Sequence, residues 1–477
     1  MKSLGTLGSF GVLMALLLAV ACSRPAAQAE GEVDATTQAP VRAATANAPD
    51  VARTGISAIN DPLVRTVQFG IAGLELSEPI VDLGGTSPLL LAFDILEGDV
   101  RDLRYTLTHC DKDWRPSQLS PIDYLAGFTE GDVTDFDFSF STQTAYTHYS
   151  LTLPNQYIRW TKSGNYLLNV FDDLAEEPLM VLRFVVVEPL ITLQVVPTRP
   201  ASVQKDRTHQ EFDVAINLRD ARLENPRRSL SLTVVQNGDW RTGLYDLAPR
   251  FIRDELLLWD YQDKIVFPAL REWRTLDLRT LASAGGRIRD ITNEGGVYDV
   301  QLFPEVARVD FPPETRIDLN GRYVIEDFDN QRVRARISTD TSEFGRLQGQ
   351  RFDRDFADLQ RLRAEYADVL YTLKAPSGAF DGDVYLYGAL TNYALDETTR
   401  GVYNPLVNGY VFKQRLKQGF YDYAYVEAGP DGFRPVWTQT EGNTFGTENA
   451  YQFLLYYRPY GERYDRVISY DNVQVNR

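Results

Sequence analysis

The sequence predicts an all-β chain of tandem antiparallel β-sandwich domains, on three observations. From Leu63 onwards, short runs of alternating apolar and polar residues follow one another, broken by Gly, Pro, Asn and Asp. Tyr (26) and Phe (24) are abundant among 477 residues, and aromatic side chains favour strands. Stretches with helical spacing are few, and residues 355–367 are the best of them.

The N-terminus reads as an export signal. Lys2 supplies a positive charge, and Gly11 to Ala21 is apolar but too short to span a bilayer. Ala19-Val20-Ala21-Cys22 resembles a bacterial lipobox with Ala19 in the usual Leu position. The expectation is a signal peptide over 1–21, with Cys22 acylated as the first mature residue and holding the chain to a membrane. Residues 22–60, rich in Ala, Pro, Thr and Asp, read as a flexible tether.

Strands follow. Leu89–Ile95 and Leu103–His109 form the first clear pair, with Glu97-Gly98-Asp99 as the expected turn. Tyr149–Pro154 alternates and stops at proline, while Tyr166–Phe171 and Met180–Val187 read as a closing hairpin. Gln236-Asn237-Gly238-Asp239 and Asp318-Leu319-Asn320-Gly321 are expected turns. Gly-x-Tyr ahead of an alternating strand recurs at 164–166, 321–323 and 419–421. In immunoglobulin-like sandwiches such a Tyr can cap the corner between two strands. The recurrence predicts three sandwiches, over 61–190, 191–347 and 366–477, with the charged stretch 348–365 as connector.

Charge and chemistry narrow the function. With 66 acidic against 49 basic residues and a net charge of −17, nucleic acid is an unsuitable partner, and neutral or basic partners are favoured. The densest chemistry is His109-Cys110-Asp111-Lys112-Asp113-Trp114. Neighbours on a strand point to opposite faces, so His109 and Cys110 diverge and form neither a metal set nor a thiolate–base pair. The expectation is a buried Cys110 beside a packed Trp114. The familiar catalytic motifs, G-x-S-x-G, H-E-x-x-H, G-x-x-x-x-G-K-[ST] and G-x-G-x-x-G, are absent from the sequence. No catalytic, cofactor or metal residue is therefore assigned.

Two resemblances enter on particular residues. Val384–Tyr393 and Lys417–Val426 resemble the starch- and glycogen-binding sandwich type, with Tyr393 near the place of an expected Trp. That resemblance implies, as the alternative function, a glycan-binding envelope lipoprotein with Tyr393 and Trp437 as exposed contacts.

The second resemblance covers nearly all of the chain from Val67. It is carried by His109–Ser117, Tyr124–Phe128, Phe138-Ser139-Phe140, His148-Tyr149, Leu153-Pro154-Asn155 and Ser163–Tyr166. Arg183-Phe184, His209-Gln210-Glu211, Val235-Gln236-Asn237, Arg271–Arg274 and Asp318–Gly321 continue it. Lys417-Gln418-Gly419, Glu441-Gly442, Thr447–Tyr451 and Tyr464-Asp465-Arg466 complete it. Through these segments the chain resembles the type IX secretion system plug proteins. The resemblance implies a non-enzymatic protein of the Gram-negative envelope without cofactors. Its partner would be a very large outer-membrane translocon β-barrel, whose periplasmic mouth the plug keeps closed when no cargo is engaged.

Overall fold

The computed structural model describes residues 58–476 apart from 174–176, 220, 254, 260–261, 315 and 330–359. The expected signal, Cys22 and the tether up to residue 57 lie outside the described residues, as does 348–359 of the connector. Ala58 and Ile59, assigned to the end of the tether, instead pair with Val181 and Met180.

Residues 58–187 build one sandwich. One sheet runs Ala58–Ile59, Met180–Val187, Gly164–Asp172, Leu103–Cys110, Glu130–Val133, with Ile80–Asp82 parallel to Met180–Val187. The other runs Val64–Ile71, Leu89–Ile95, Thr147–Leu153, Asp135–Phe138. Leu91, Phe93 and Tyr149 of the second meet Tyr105, Leu107, Tyr166 and Leu182 of the first in one core. The expected hairpin of Leu89–Ile95 with Leu103–His109 is therefore corrected. The two strands lie in opposite sheets, and Glu97-Gly98-Asp99 belongs to a crossover held by the Thr147 hydroxyl on the Glu97 (3.2 Å) and Asp99 (2.9 Å) carbonyls. Alternation marks a buried face, not the partner strand. The closing hairpin is present, with Leu168 opposite Leu182.

The rest of the chain does not divide where the sequence suggested. Leu230–Gln236 pairs with Asp239–Leu247 and also with Asn449–Tyr457, which pairs with Arg466–Val475. This sheet faces the one around His209–Asn217, and Phe212, Trp259, Phe453 and Leu455 share its core. The C-terminal hairpin thus completes the middle sandwich, not the last. Strands from Arg274 to Val436 form the third, with Tyr371, Val384, Tyr421 and Tyr425 in its core. Expected boundaries at 347 and 366 are replaced by an insertion, because pairing across two hundred residues leaves no local mark.

The Gly-x-Tyr recurrence shows the same limit. Tyr166 donates to the Lys162 carbonyl (2.8 Å) and Tyr421 to that of Lys417 (2.5 Å), each tying a corner four residues upstream. Tyr323 instead pairs beside Tyr421 in the same sheet and donates to the Val67 carbonyl (2.9 Å) of the first sandwich. Both expected turns form: Asn237 and Gly238 have φ of 52° and 73°, and Asn320 and Gly321 have 53° and 82°.

Candidate functional site

The motif-bearing residues gather where the sandwiches meet. The first joint is built on the opening segment. After Leu103–Cys110 ends, Asp111 Oδ1 accepts the N–H groups of Asp113 and Arg115, both at 2.9 Å, and closes a tight loop. Trp114, at φ 64°, folds onto the outer face of the sheet and is 3% exposed. It meets Trp240 of the middle sandwich edge-on at 4.8 Å, and the Arg183 guanidinium lies 4.4 Å above its ring. Cys110 is buried with Leu167, Val185, Leu454 and Val467, and burial pushes its thiol pKa upwards, away from thiolate chemistry.

His109 points to the other face, as strand geometry requires. Its Nε2 donates to the Ser163 carbonyl (3.1 Å), which leaves Nδ1 to accept from the Ser117 hydroxyl (2.9 Å). Burial lowers its pKa to about 4, so the ring is neutral. Gly164 lies against the ring, where a Cβ would collide with Nε2. Asn165 and Asp465 complete the joint. Asn165 donates to the Asp111 carbonyl (3.0 Å) and accepts from the Tyr456 hydroxyl (2.9 Å), while Asp465 accepts from the Lys112 N–H (2.9 Å).

A second joint links the first and third sandwiches through charge. Asp94 is fully buried, with Lys417 Nζ and the Tyr366 hydroxyl on Oδ2 and His148 Nδ1 on Oδ1, each at 2.6 Å. Burial alone would raise the Asp94 pKa, but the Lys417 ammonium and the His148 hydrogen bond hold it below its usual value. The Tyr146 ring lies 4.0 Å from Lys417 Nζ, and its hydroxyl donates to the Arg361 (2.8 Å) and Ala364 (3.0 Å) carbonyls.

Between the middle and third sandwiches the Tyr387 hydroxyl donates to the Asp239 carboxylate, and Arg241 donates to the Phe433 carbonyl (3.0 Å). Where the chain passes between the two, Asn449 donates to the Ala269 carbonyl (2.7 Å) and accepts from Asn237 (2.8 Å), while Gln210 donates to the Phe445 and Thr447 carbonyls (both 2.9 Å). Arg271 donates to the carbonyls of Arg308, Glu441, Phe311 and Pro312. Glu441 pairs with Arg274 (2.8 Å) and Arg308 (2.6 Å); burial opposes its ionisation, but the two guanidiniums bring its pKa down to about 2.

A cleft of about 640 Å³ opens where all three sandwiches meet, lined by Phe69, Leu74, Glu78, Gly238, Arg322 and Tyr393 among others. Tyr393 is half-buried, edge-on to Tyr387 at 5.5 Å, with its hydroxyl 3.4 Å from the Gly321 carbonyl. Trp437 is 4% exposed and packs edge-on against Trp273 at 4.9 Å. The exposed aromatic pair of the glycan reading is thus corrected, because Trp437 fills a core instead of a surface. Among the described residues, no group of three or more His, Cys, Asp or Glu is placed to hold a metal ion. None of their helices is long and apolar enough to cross a membrane.

Sequence reasoning left Asp94, Arg183 and Tyr456 without a role. A signal was present for the last two. Met180–Val187 and Asn449–Tyr457 run without alternation, and every residue in both is buried, because each strand is covered on both faces. Asp94 stands in Leu89–Ile95 with no mark of the partner that arrives from residue 417.

Three β-sandwiches joined by buried motif residues define a multi-domain β protein. A family follows from comparison for one part of the chain: residues 64–188 match the type 9 secretion system plug protein 1st domain, which places this sandwich with the type IX secretion system plug family. The crystal structure of a hypothetical protein from Parabacteroides merdae is similar, with a TM-score of 0.79 and 29% identity, covering 88% of this chain and 100% of that chain. No curated protein matches the chain.

Proposed function

We propose that this chain is a non-enzymatic plug that closes the periplasmic end of the large outer-membrane translocon of the type IX secretion system. The observation that carries the proposal is the match of residues 64–188 to the plug first domain. The joints support it physically. A wide aqueous pore is blocked by a stiff, pre-folded body, and buried contacts such as Asp94–Lys417 and Trp114–Trp240 resist hinging between sandwiches. The buried ionisable groups at the joints are used in pairing or packing, which fits a role without chemistry. Acylation of Cys22, at the start of the 22–60 tether, would keep the plug near the barrel at high effective concentration on the periplasmic side of the membrane.

Affinity purification from envelope membranes in mild detergent, through a C-terminal tag, tests the proposal. A giant outer-membrane β-barrel is expected in stoichiometric amount, and deletion of the plug is expected to make the outer membrane leaky. Recovery of the chain alone, with no leakage on deletion, would overturn it.

A further inference from the structure

Asp135–Phe138 is the last strand of its sheet, pairs only with Thr147–Leu153, and is exposed along its whole length. Ser139 donates to the Tyr146 carbonyl (2.9 Å), so Asp135, Asp137 and Ser139 turn their backbone groups towards the neighbouring strand. The N–H and C=O groups of Phe136 and Phe138 therefore point away from the sheet. Among the described residues they have no backbone partner. The side chains of Phe136, Phe138 and Phe140 share one face of this edge and are 41%, 52% and 54% exposed. Asp135 and Asp137 occupy the other face, with no ion-pair partner among the described residues.

One end of this edge already receives a backbone. The Phe140 N–H, which points outwards by the same alternation, donates to the Leu362 carbonyl (2.8 Å), and the Arg363 guanidinium lies 5.1 Å from the Phe140 ring. Leu362 and Arg363 belong to a helical turn, so this contact is no strand pairing, but it shows an outward N–H of the edge bound by a carbonyl, with an arginine over the neighbouring phenylalanine.

We propose that the Asp135–Phe138 edge is a strand-addition site for an extended, basic segment of another protein. Its backbone would pair with Phe136 and Phe138, its apolar residues would cover the phenylalanine ridge, and its Lys or Arg residues would face Asp135 and Asp137. Charge selects this occupant over a second copy. Two aspartates on an edge, in a chain of net charge −17, repel an identical strand and attract a basic one. The inference rests on this edge and stands independently of the plug proposal.

The test is fluorescence anisotropy on the full chain with a labelled peptide of alternating Val and Arg. The same peptide with every backbone nitrogen methylated keeps the charge but can donate along neither edge. Binding is expected, weaker by roughly tenfold or more for the methylated peptide and for Phe136→Pro, which deletes one outward N–H. An Asp135→Asn/Asp137→Asn variant is expected to weaken it as well. Equal binding of both peptides would reduce the effect to charge alone and overturn the proposal, as would no binding of the alternating peptide. Should Phe136→Pro fail to fold by circular dichroism, the two peptides on the unaltered chain decide the matter.

Discussion

The two joints made by the first sandwich solve the same problem with opposite chemistry. Towards the middle sandwich, Cys110, Trp114, Val185, Leu454 and Val467 exclude water, and the Arg183 guanidinium lies 4.4 Å from the Trp114 ring and 5.8 Å from that of Trp240. Towards the third, the contact centres on a carboxylate and an ammonium, both buried. An apolar joint loses stability in proportion to the surface uncovered. A buried ion pair contributes little over a well-packed apolar pair, yet losing one partner strands a charge in low dielectric. The first joint tolerates graded change, whereas the second is all or none and fixes which faces can dock.

The largest effect is therefore expected at the charge joint. Lys417→Met leaves Asp94 buried without its cation and is expected to cost about 4 kcal/mol in urea unfolding, most of it recovered in Asp94→Asn/Lys417→Met. A loss under about 1 kcal/mol would show that water reaches Asp94. Trp114→Ala should come next, costing about 3 kcal/mol through cavity and lost burial. It should also open Cys110, buried in the parent chain, to thiol labelling, while Lys417→Met leaves Cys110 protected. Labelling of Cys110 in both variants would mean that the joints open together.

Acid sharpens the contrast in an unexpected place. His109 has a pKa depressed from 6.5 to about 4, so the unfolded chain takes its proton first and stability falls as pH drops through that window. The loss approaches about 3 kcal/mol and should appear as a pH-dependent difference between the parent chain and His109→Gln. The Asp94 carboxyl, with its pKa lowered, keeps its contribution throughout that window and loses it only in stronger acid. A pH-independent difference would show that water reaches His109. The smallest effect belongs to Tyr456→Phe, expected to cost about 1 kcal/mol by leaving Asn165 Oδ1 without its donor.

Much of this molecule was legible residue by residue. The strand positions, the turns at 237–238 and 320–321, the divergence of His109 from Cys110 and the packing of Trp114 all follow from side-chain alternation and turn chemistry. These are local effects, set within a few residues by backbone geometry and by which side chains avoid water. The exposure expected of Trp437 failed for the same reason, since an aromatic just after a short strand reads alike whether water or Trp273 faces it.

What only the tertiary structure decided is who meets whom. Leu89–Ile95 and Leu103–Cys110 were set in opposite sheets, and Asn449–Tyr457 returned to the middle sandwich. Asp94 met Lys417 from 323 residues away. Nothing near these positions encodes their partners, because pairing free energy depends on the assembled faces and not on sequence distance. The sequence alone determined where the strands lie and which of their faces avoid water. Packing decided which of those faces became cores, which became joints, and which edge stayed open.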